Sequence, residues 1–442
     1  MSALSLPPEM DERPSGPPDS RNVLERFLRL RRLSKDVLGT MEQRFARYGD
    51  AHRGEVLGPP SYSFRHPDAV FDVLVTHASC FGKRTQNLEL LGNGLLLSEG
   101  EAWRRQRRRI QPGFHHESIL AYGTLIEEEA ERLLGRWAPG MVIELRAAML
   151  ELTLRVVCRT LFGQSYRGDS GRLASTLTAL QRIAVSPALL PPWAPSPTRI
   201  VRRYLRGLVD REVYSIIDSG ASEPGSLLAE LRAARDQGVG MTRTELRDEV
   251  VTLFLAGHET TALSLTWTFS LVATHPEVDA ALQSELQQLC GPVATAAIDA
   301  LTLFPRVLRE SMRLYPPAYV LPRVCREPVR IAGVALAPGD EAWLWIFHMQ
   351  RDPRWFREPA RFDPERFAPD GEHALHPRAY APFGAGSRSC IGRHFANLEA
   401  LLVLAKVLER YRLEPLERGA IPVHPRVTLA PAKPVRVRLH PR

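Results

Sequence analysis

Residues 383–392 read Phe383-Gly384-Ala385-Gly386-Ser387-Arg388-Ser389-Cys390-Ile391-Gly392. Glycines at 384 and 386 permit backbone turns closed to other residues. The following stretch, Ile391–Tyr411, has the apolar spacing of one long helix. Cys390 is therefore expected at a helix start, where backbone N–H groups and the helix dipole favour an anion. The thiolate is the metal-binding form of cysteine and needs such surroundings. A lone cysteine in a glycine-rich turn is commonly an inert buried thiol; the ordered run of glycines, Arg388 and Cys390 argues against that reading.

Three more segments stand out upstream and downstream. Val250–Thr274 is apolar nearly all round, yet carries Ala256-Gly257-His258-Glu259-Thr260-Thr261 at its middle. Glycine and polar groups inside a buried helix cost stability, so they need a partner or a task. Glu310-Ser311-Met312-Arg313 places a carboxylate and a guanidinium on one helix face, before Leu314-Tyr315-Pro316-Pro317 ends the helix. Trp103-Arg104-Arg105-Gln106-Arg107-Arg108-Arg109 invites a nucleic-acid reading or a plain solvated face, and puts Trp103 and Arg107 on one side at i, i+4.

The first segment matches FxxGxRxCxG of the cytochrome P-450 family at every specified position, and the chain resembles that family from about Arg21 to its end. Pro364-Glu365-Arg366-Phe367 is similar to the family's PERF element. The resemblance implies a mainly α (α+β) fold: a helix-rich triangular prism with a smaller β-sheet region. It implies haem b, iron protoporphyrin IX, between the Val250 helix and the Cys390 helix, with Cys390 as the iron ligand. A thiolate axial ligand pushes electron density onto iron and favours O–O cleavage. By the same resemblance Phe383 flanks the haem, Trp103, Arg107, Arg388 and Arg323 surround its propionates, and Ala256 with Gly257 makes room for dioxygen. Glu259 and Thr260 then relay protons for oxygen activation. Glu310, Arg313 and Arg366 form a structural charge network. Phe254, Leu255, Ala318, Val320 and Leu429 line the substrate pocket, within walls expected from Thr76–Leu97, Gln181–Tyr204, Ala318–Leu321 and Val427–Leu429.

The implied reaction inserts one oxygen atom of O2 into a lipophilic substrate: a terpenoid, fatty acid, sterol-like molecule or polyketide. After Cys390 the chain runs only to Arg442, so electrons are expected from NAD(P)H through a separate ferredoxin or flavodoxin and its reductase. Formal net charge is +8 and almost wholly arginine, with lysine only at Lys35, Lys83, Lys406 and Lys433. Such a surface attracts acidic partners, and Arg104, Arg105, Arg108 and Arg109 are expected to dock the redox protein. A peroxygenase is the less favoured reading because Glu259 and Thr260 are both present. A haem-thiolate sensor needs no proton relay, and a nucleic-acid-binding protein leaves the Cys390 segment unexplained.

The remaining composition agrees with a folded protein. The chain has 442 residues, 44% apolar and 24% charged, which permits a large core. Five scattered cysteines without a CxxC make a disulfide framework or zinc site unlikely. His115-His116, and His373 with His376, lack the companions of a zinc site. Residues 1–20 read as a disordered leader without a signal peptide, and 21–442 as a single domain. Glu259 and His258 disqualify Val250–Thr274 as a membrane span. The expectation is a cytoplasmic, bacterial-type monomer that binds no nucleic acid.

Overall fold

The computed structural model describes residues 14–17, 33, 35–54, 59–84, 91–163, 175–176, 179, 197–218, 225–236, 238–289, 291–372, 375–417 and 419–442. The leader, a strand expected at Glu55–Leu57, most of a helix expected at Arg172–Ala184, and the proline-rich Ser186–Pro197 lie largely outside them. The chain folds into two compact units: residues 1–84, 312–390 and 424–430 form one, and 85–311, 391–423 and 431–442 the other.

The first unit is built on a five-stranded sheet. Its strands run in the order Ala51–Arg53, Ser61–Phe64, Glu341–Leu344, Leu321–Cys325 and Phe81–Lys83. The central pair, Ser61–Phe64 and Glu341–Leu344, is parallel with Tyr62 opposite Ala342, and the rest is antiparallel. Phe64, Val73, Ile331, Leu344 and Met349 fill its core. Helix α1 (Val37–Tyr48) buries Leu38, Met41 and Phe45 at the i, i+3, i+4 spacing of an amphipathic helix. The strand expected at Glu341–Phe347 stops at Leu344, because Ile346–Met349 turns into a short helix.

The second unit is mostly helical: α2 (Gly100–Ile110), α3 (His116–Leu134), α4 (Leu145–Phe162), α5 (Pro197–Asp218), α6 (Leu227–Ala233), α7 (Arg243–Thr274) and α8 (Pro276–Gln287). Helix α9 (Leu303–Leu314) follows and ends in the first unit, and α10 (Arg393–Arg410) returns to the second. Helix α7 starts at a full capping box, in which Thr242 and Glu245 satisfy each other's backbone N–H. Its middle is buried nearly all round apart from Ala256, which is why its apolar residues show no stripe. The helix expected to run on to Asp236 ends at Ala233. Arg235–Asp236 instead pairs with Val239–Gly240 in a small hairpin turning at Gly238, whose φ is 81°. A strand at Val142–Glu144, unforeseen in the sequence, adds to the carboxy-terminal sheet beside Arg436–Arg438.

Candidate active site

In the first unit, the segment around Cys390 is a pinned loop. Gly384 and Gly386 take φ of 70° and 69°, a region that favours glycine. Gly386 also lies so near the Leu74 carbonyl that a Cβ there would collide with it. The Cys390 N–H donates to the Phe383 carbonyl at 3.0 Å and closes the turn. The result is a rigid loop with its thiol exposed. That donor, held firm and presented outward, fits a metal group ligated from outside the loop. Helix α10 begins at Arg393 after Gly392, so Cys390 sits before the helix rather than at its first residue; Ile391 and Gly392 form a turn.

Arg388 is half-buried in the turn Gly386–Arg388, and Arg323 on its strand donates to the Pro322 carbonyl at 2.9 Å. Arg313 is fully buried and gathers the carbonyls of Gln350, Pro359 and Arg361 at 2.9, 2.8 and 3.1 Å. Its guanidinium also stacks 5.0 Å from the Phe356 ring centre. Arg366 donates to the Glu358 carbonyl at 2.9 Å. These two arginines thus lock the coil 350–366 mainly through its backbone. Glu310 is fully buried one helical turn before Arg313 on α9. The Leu429 N–H donates to the Pro317 carbonyl at 3.0 Å, and the Tyr319 hydroxyl to the Arg426 carbonyl at 2.8 Å. The turn 426–429 is therefore fastened to the segment carrying half-buried Ala318 and Val320. Leu429 itself is fully buried, which makes it core rather than open wall.

In the second unit, α7 shows how a buried helix tolerates its polar run. The hydroxyls of Thr260, Thr261, Ser264, Thr266 and Thr268 each donate to the carbonyl four residues back, at 2.6–3.2 Å. His258 is bonded through Nδ1 to the Phe254 carbonyl at 2.7 Å, and burial pushes its pKa down. Phe254 is fully buried and Leu255 nearly so, packed among Leu161, Val213 and Val250. Their side chains belong to the hydrophobic core of this unit. Ala256 is the exposed residue of this stretch, with half-buried Thr260 one turn on and the Thr260 hydroxyl bonded to the Ala256 carbonyl at 2.7 Å. Gly257 lies close against α4: a Cβ there would come 3.0 Å from Val157. Thr153 of α4 donates to the His258 carbonyl at 2.9 Å, fixing α4 and α7 together at this level.

Two partners of this turn were not legible in the sequence. Arg146, at the start of α4, places Nη2 4.0 Å from the Glu259 carboxylate. Glu399 of α10 is fully buried beside Thr261, and desolvation raises its pKa to about 8, with the Thr261 hydroxyl offsetting part of the rise. A carboxylate inside the apolar run Phe395–Leu408 was the available signal for Glu399; Arg146 had none.

Trp103 and Arg107 lie half-buried on α2 as expected from their spacing. The other arginines of α2 are engaged within the unit. Arg109 is 3% exposed and donates to the Val239 carbonyl at 2.8 Å. Arg108 pairs with Asp236 and Glu101, Arg104 with Glu101, and Arg105 with Glu245. This helix thus fastens the 235–240 hairpin and the start of α7. Among the described residues no group of three His, Cys, Asp or Glu could hold a metal ion. No described helix is long and apolar enough to cross a membrane.

The sequence profile of the cytochrome P450 family matches residues 14–438. Cyclooctatin synthase of Streptomyces melanosporofaciens is 34% identical over 406 residues, 87% of this chain and 88% of that protein. Cyclooctat-9-en-7-ol 5-monooxygenase of the same organism is also 34% identical, over 380 residues, 81% of this chain and 82% of its own. The crystal structure of a mutant cytochrome P450DA heme domain superimposes with a TM-score of 0.86 at 24% identity, covering 97% of each chain.

Proposed function

The chain belongs to the cytochrome P450 family and is a haem-dependent monooxygenase, and from that premise we propose that it hydroxylates a polycyclic terpenoid with electrons from separate redox proteins. The observation that carries the site reading is the exposed Ala256 in the middle of α7, between the buried runs Leu246–Leu255 and Thr261–Ser270, with half-buried Glu259 and Thr260 beside it. The name of one relative, cyclooctat-9-en-7-ol 5-monooxygenase, supports the terpenoid class. So does the apolar character of the segments around Ala318, Val320 and Leu96.

Cys390 would hold the haem iron through its thiolate, with the loop pinned at Gly386 keeping the exposed sulfur in place. Arg107, Arg323 and Arg388 would neutralise the propionates, a task suited to guanidinium forks, and the neutral Trp103 indole N–H would add a hydrogen bond. When bound, the haem supplies reductive activation of dioxygen, one atom entering a substrate C–H bond and the other leaving as water after two electrons and two protons arrive. Glu259, with a side chain 18% exposed, collects protons from solvent, with the Arg146 guanidinium 4.0 Å from its carboxylate. Thr260 passes them on: at rest its hydroxyl donates a hydrogen bond to the Ala256 carbonyl at 2.7 Å and its oxygen can accept from an incoming water, and on rotating away from that carbonyl the same hydroxyl can donate toward the reacting oxygen. Glu310, Arg313 and Arg366 act structurally. Electrons come from NAD(P)H through a ferredoxin or flavodoxin and its reductase.

The test is a reduced CO difference spectrum followed by turnover of a cyclic diterpene alcohol with a surrogate ferredoxin and reductase. A strongly red-shifted Soret band and a hydroxylated product are expected. A band typical of histidine ligation, or the same spectrum from Cys390→Ala, overturns the ligand assignment. A correct spectrum with fatty acids turned over and terpenoids ignored overturns the substrate class.

A further inference from the structure

The loop that presents Cys390 is pinned on its upstream side, by the close approach of Gly386 to the Leu74 carbonyl and by the Cys390 N–H on the Phe383 carbonyl. Downstream the chain passes through Ile391 and Gly392 into the first turn of α10, where the Ala396 N–H donates to the Gly392 carbonyl at 2.8 Å. That stretch is seated on the second unit by side chains that the proposed chemistry does not use. Gly392 lies against the Phe114 ring: a Cβ on it would stand 3.6 Å from Phe114 Cε1. Ile391 and Phe114 pack on one hydrophobic core, which includes Leu227 and Leu228 of α6. In the first turn of α10, buried Phe395 meets the buried Tyr122 ring of α3, with ring centres 5.8 Å apart and planes at 76°. That is the edge-to-face arrangement aromatic pairs favour.

Both rings are held by their own surroundings. Phe114 ends the tight turn Gln111–Phe114, which joins α2 to α3. Pro112 fixes the backbone at the start of that turn, and its carbonyl accepts the His115 N–H at 3.0 Å and the Ser118 hydroxyl at 3.2 Å. Gly113 is buried against α6, so close that a Cβ would collide with Leu227 Cδ1 and Glu230 Oε2. Burial, with the Glu230 charge second, pushes the Tyr122 pKa up. The Tyr122 hydroxyl has no hydrogen-bond partner among the described residues, so what Tyr122 offers α10 is its ring.

We propose that Phe114 and Tyr122 are positioning residues, whose rings seat the first turn of α10 and so fix from the downstream side where the Cys390 sulfur stands. This rests on the reading that Cys390 is the iron ligand. One rotatable bond separates the cysteine backbone from its sulfur, so a backbone that shifts carries the sulfur with it. A thiolate freed from its metal takes a proton from solvent and becomes a neutral thiol. The two rings therefore slow that loss of ligation.

The experiment compares haem-loaded wild type with Phe114→Ala, Phe114→Leu, Tyr122→Leu and Tyr122→Phe. It follows the reduced CO complex over time, as the red-shifted thiolate band gives way to the neutral-thiol band, and it reads amide hydrogen exchange along the chain. Phe114→Ala should speed both the band conversion and exchange at amides 396–399 about tenfold, with α4 unchanged. Tyr122→Leu should do the same to a smaller degree. Phe114→Leu keeps most of the apolar contact and should stay within about twofold of wild type on both readouts. Tyr122→Phe keeps the ring and should match wild type. Unchanged exchange and an unchanged band in Phe114→Ala and Tyr122→Leu overturn the seat. Faster exchange at 396–399 with an unchanged band overturns its hold on the sulfur. Exchange sped equally over α3 and α4 makes both rings plain core and overturns the proposal as well. A wild type without the red-shifted band refutes the ligand reading instead, and that is seen before any variant is compared.

Discussion

Replacing Glu399 by glutamine separates the cost of a buried carboxylate from everything else at this level of α7 and α10. The folded-state pKa of about 8 stands above the ordinary 4.5, and the main cause is complete burial. A raised carboxyl pKa means that the native state keeps its proton while the unfolded chain releases it. The stability tied to that proton is fully present below 4.5 and is lost as pH rises through 8. Each full pH unit inside that window costs about 1.4 kcal/mol, less close to pH 8 where the native group begins to ionise, so wild type should lose roughly 2 kcal/mol between pH 6 and pH 8 from this group alone. Glutamine has the same shape and no proton to lose. The stability difference, Glu399→Gln minus wild type, should therefore grow by that amount across the window. Glu249, whose pKa is raised in the same direction, is present in both proteins and cancels. Urea unfolding of both holoproteins at pH 6, 7 and 8 measures the difference directly. In thermal unfolding of a chain of this length it corresponds to roughly 2 °C. Parallel pH curves would refute the reasoning and mean that Glu399 is ionised in the folded protein.

Thr260→Ala should leave the CO spectrum intact while diverting electrons to hydrogen peroxide; coupling of NADPH use to product, followed with a peroxide assay, should fall severalfold, and unchanged coupling counts against the relay. Arg146→Met removes a pair at 4.0 Å that is partly open to solvent, so kcat should drop no more than about fivefold with KM unchanged; a rise in KM alone would place Arg146 in substrate binding. His52 is fully buried and its pKa is pushed down to about 4, chiefly by desolvation. The unfolded chain takes up this proton below 6.5 and the folded chain does so only near 4, so stability is lost as pH falls through that window. His52→Phe should weaken the acid dependence by up to about 3 kcal/mol between pH 6.5 and pH 4; an unaltered acid limb would show that the imidazole is protonated in the fold.

Much of the candidate site was legible because it is local. The glycines that let the 383–390 loop close, the thiol at its end, and the polar turn in an apolar helix are all set by residues a few positions apart. Chain connectivity fixes their geometry once turn or helix is chosen. The apolar run Val250–Thr274 also ended α7 at its observed last residue, Thr274. Where periodicity erred, a longer-range partner had intervened: the hairpin at 235–240 replaced the end of a helix because Arg108 and Arg109 of α2 bind it.

Helical spacing names the residues that share a face, but not what packs against that face. The sequence grouped the arginines of α2 as a docking surface; the fold spends most of them on Glu101, Asp236, Glu245 and the Val239 carbonyl. It gave no sign of the close approach of α4 that brings Val157 to Gly257. Arg146 beside Glu259, Glu399 beside Thr261, and residues 91–95 laid on Asp248 and Glu249 join positions more than a hundred apart in the chain. Such pairs are chosen by the packing of whole helices, an energy summed over many side chains at once. The sequence by itself determined the glycine-closed loop that ends at Cys390 and the polar Ala256–Thr260 turn within an apolar helix, because both are local; only the tertiary structure decided which buried charges pack against them.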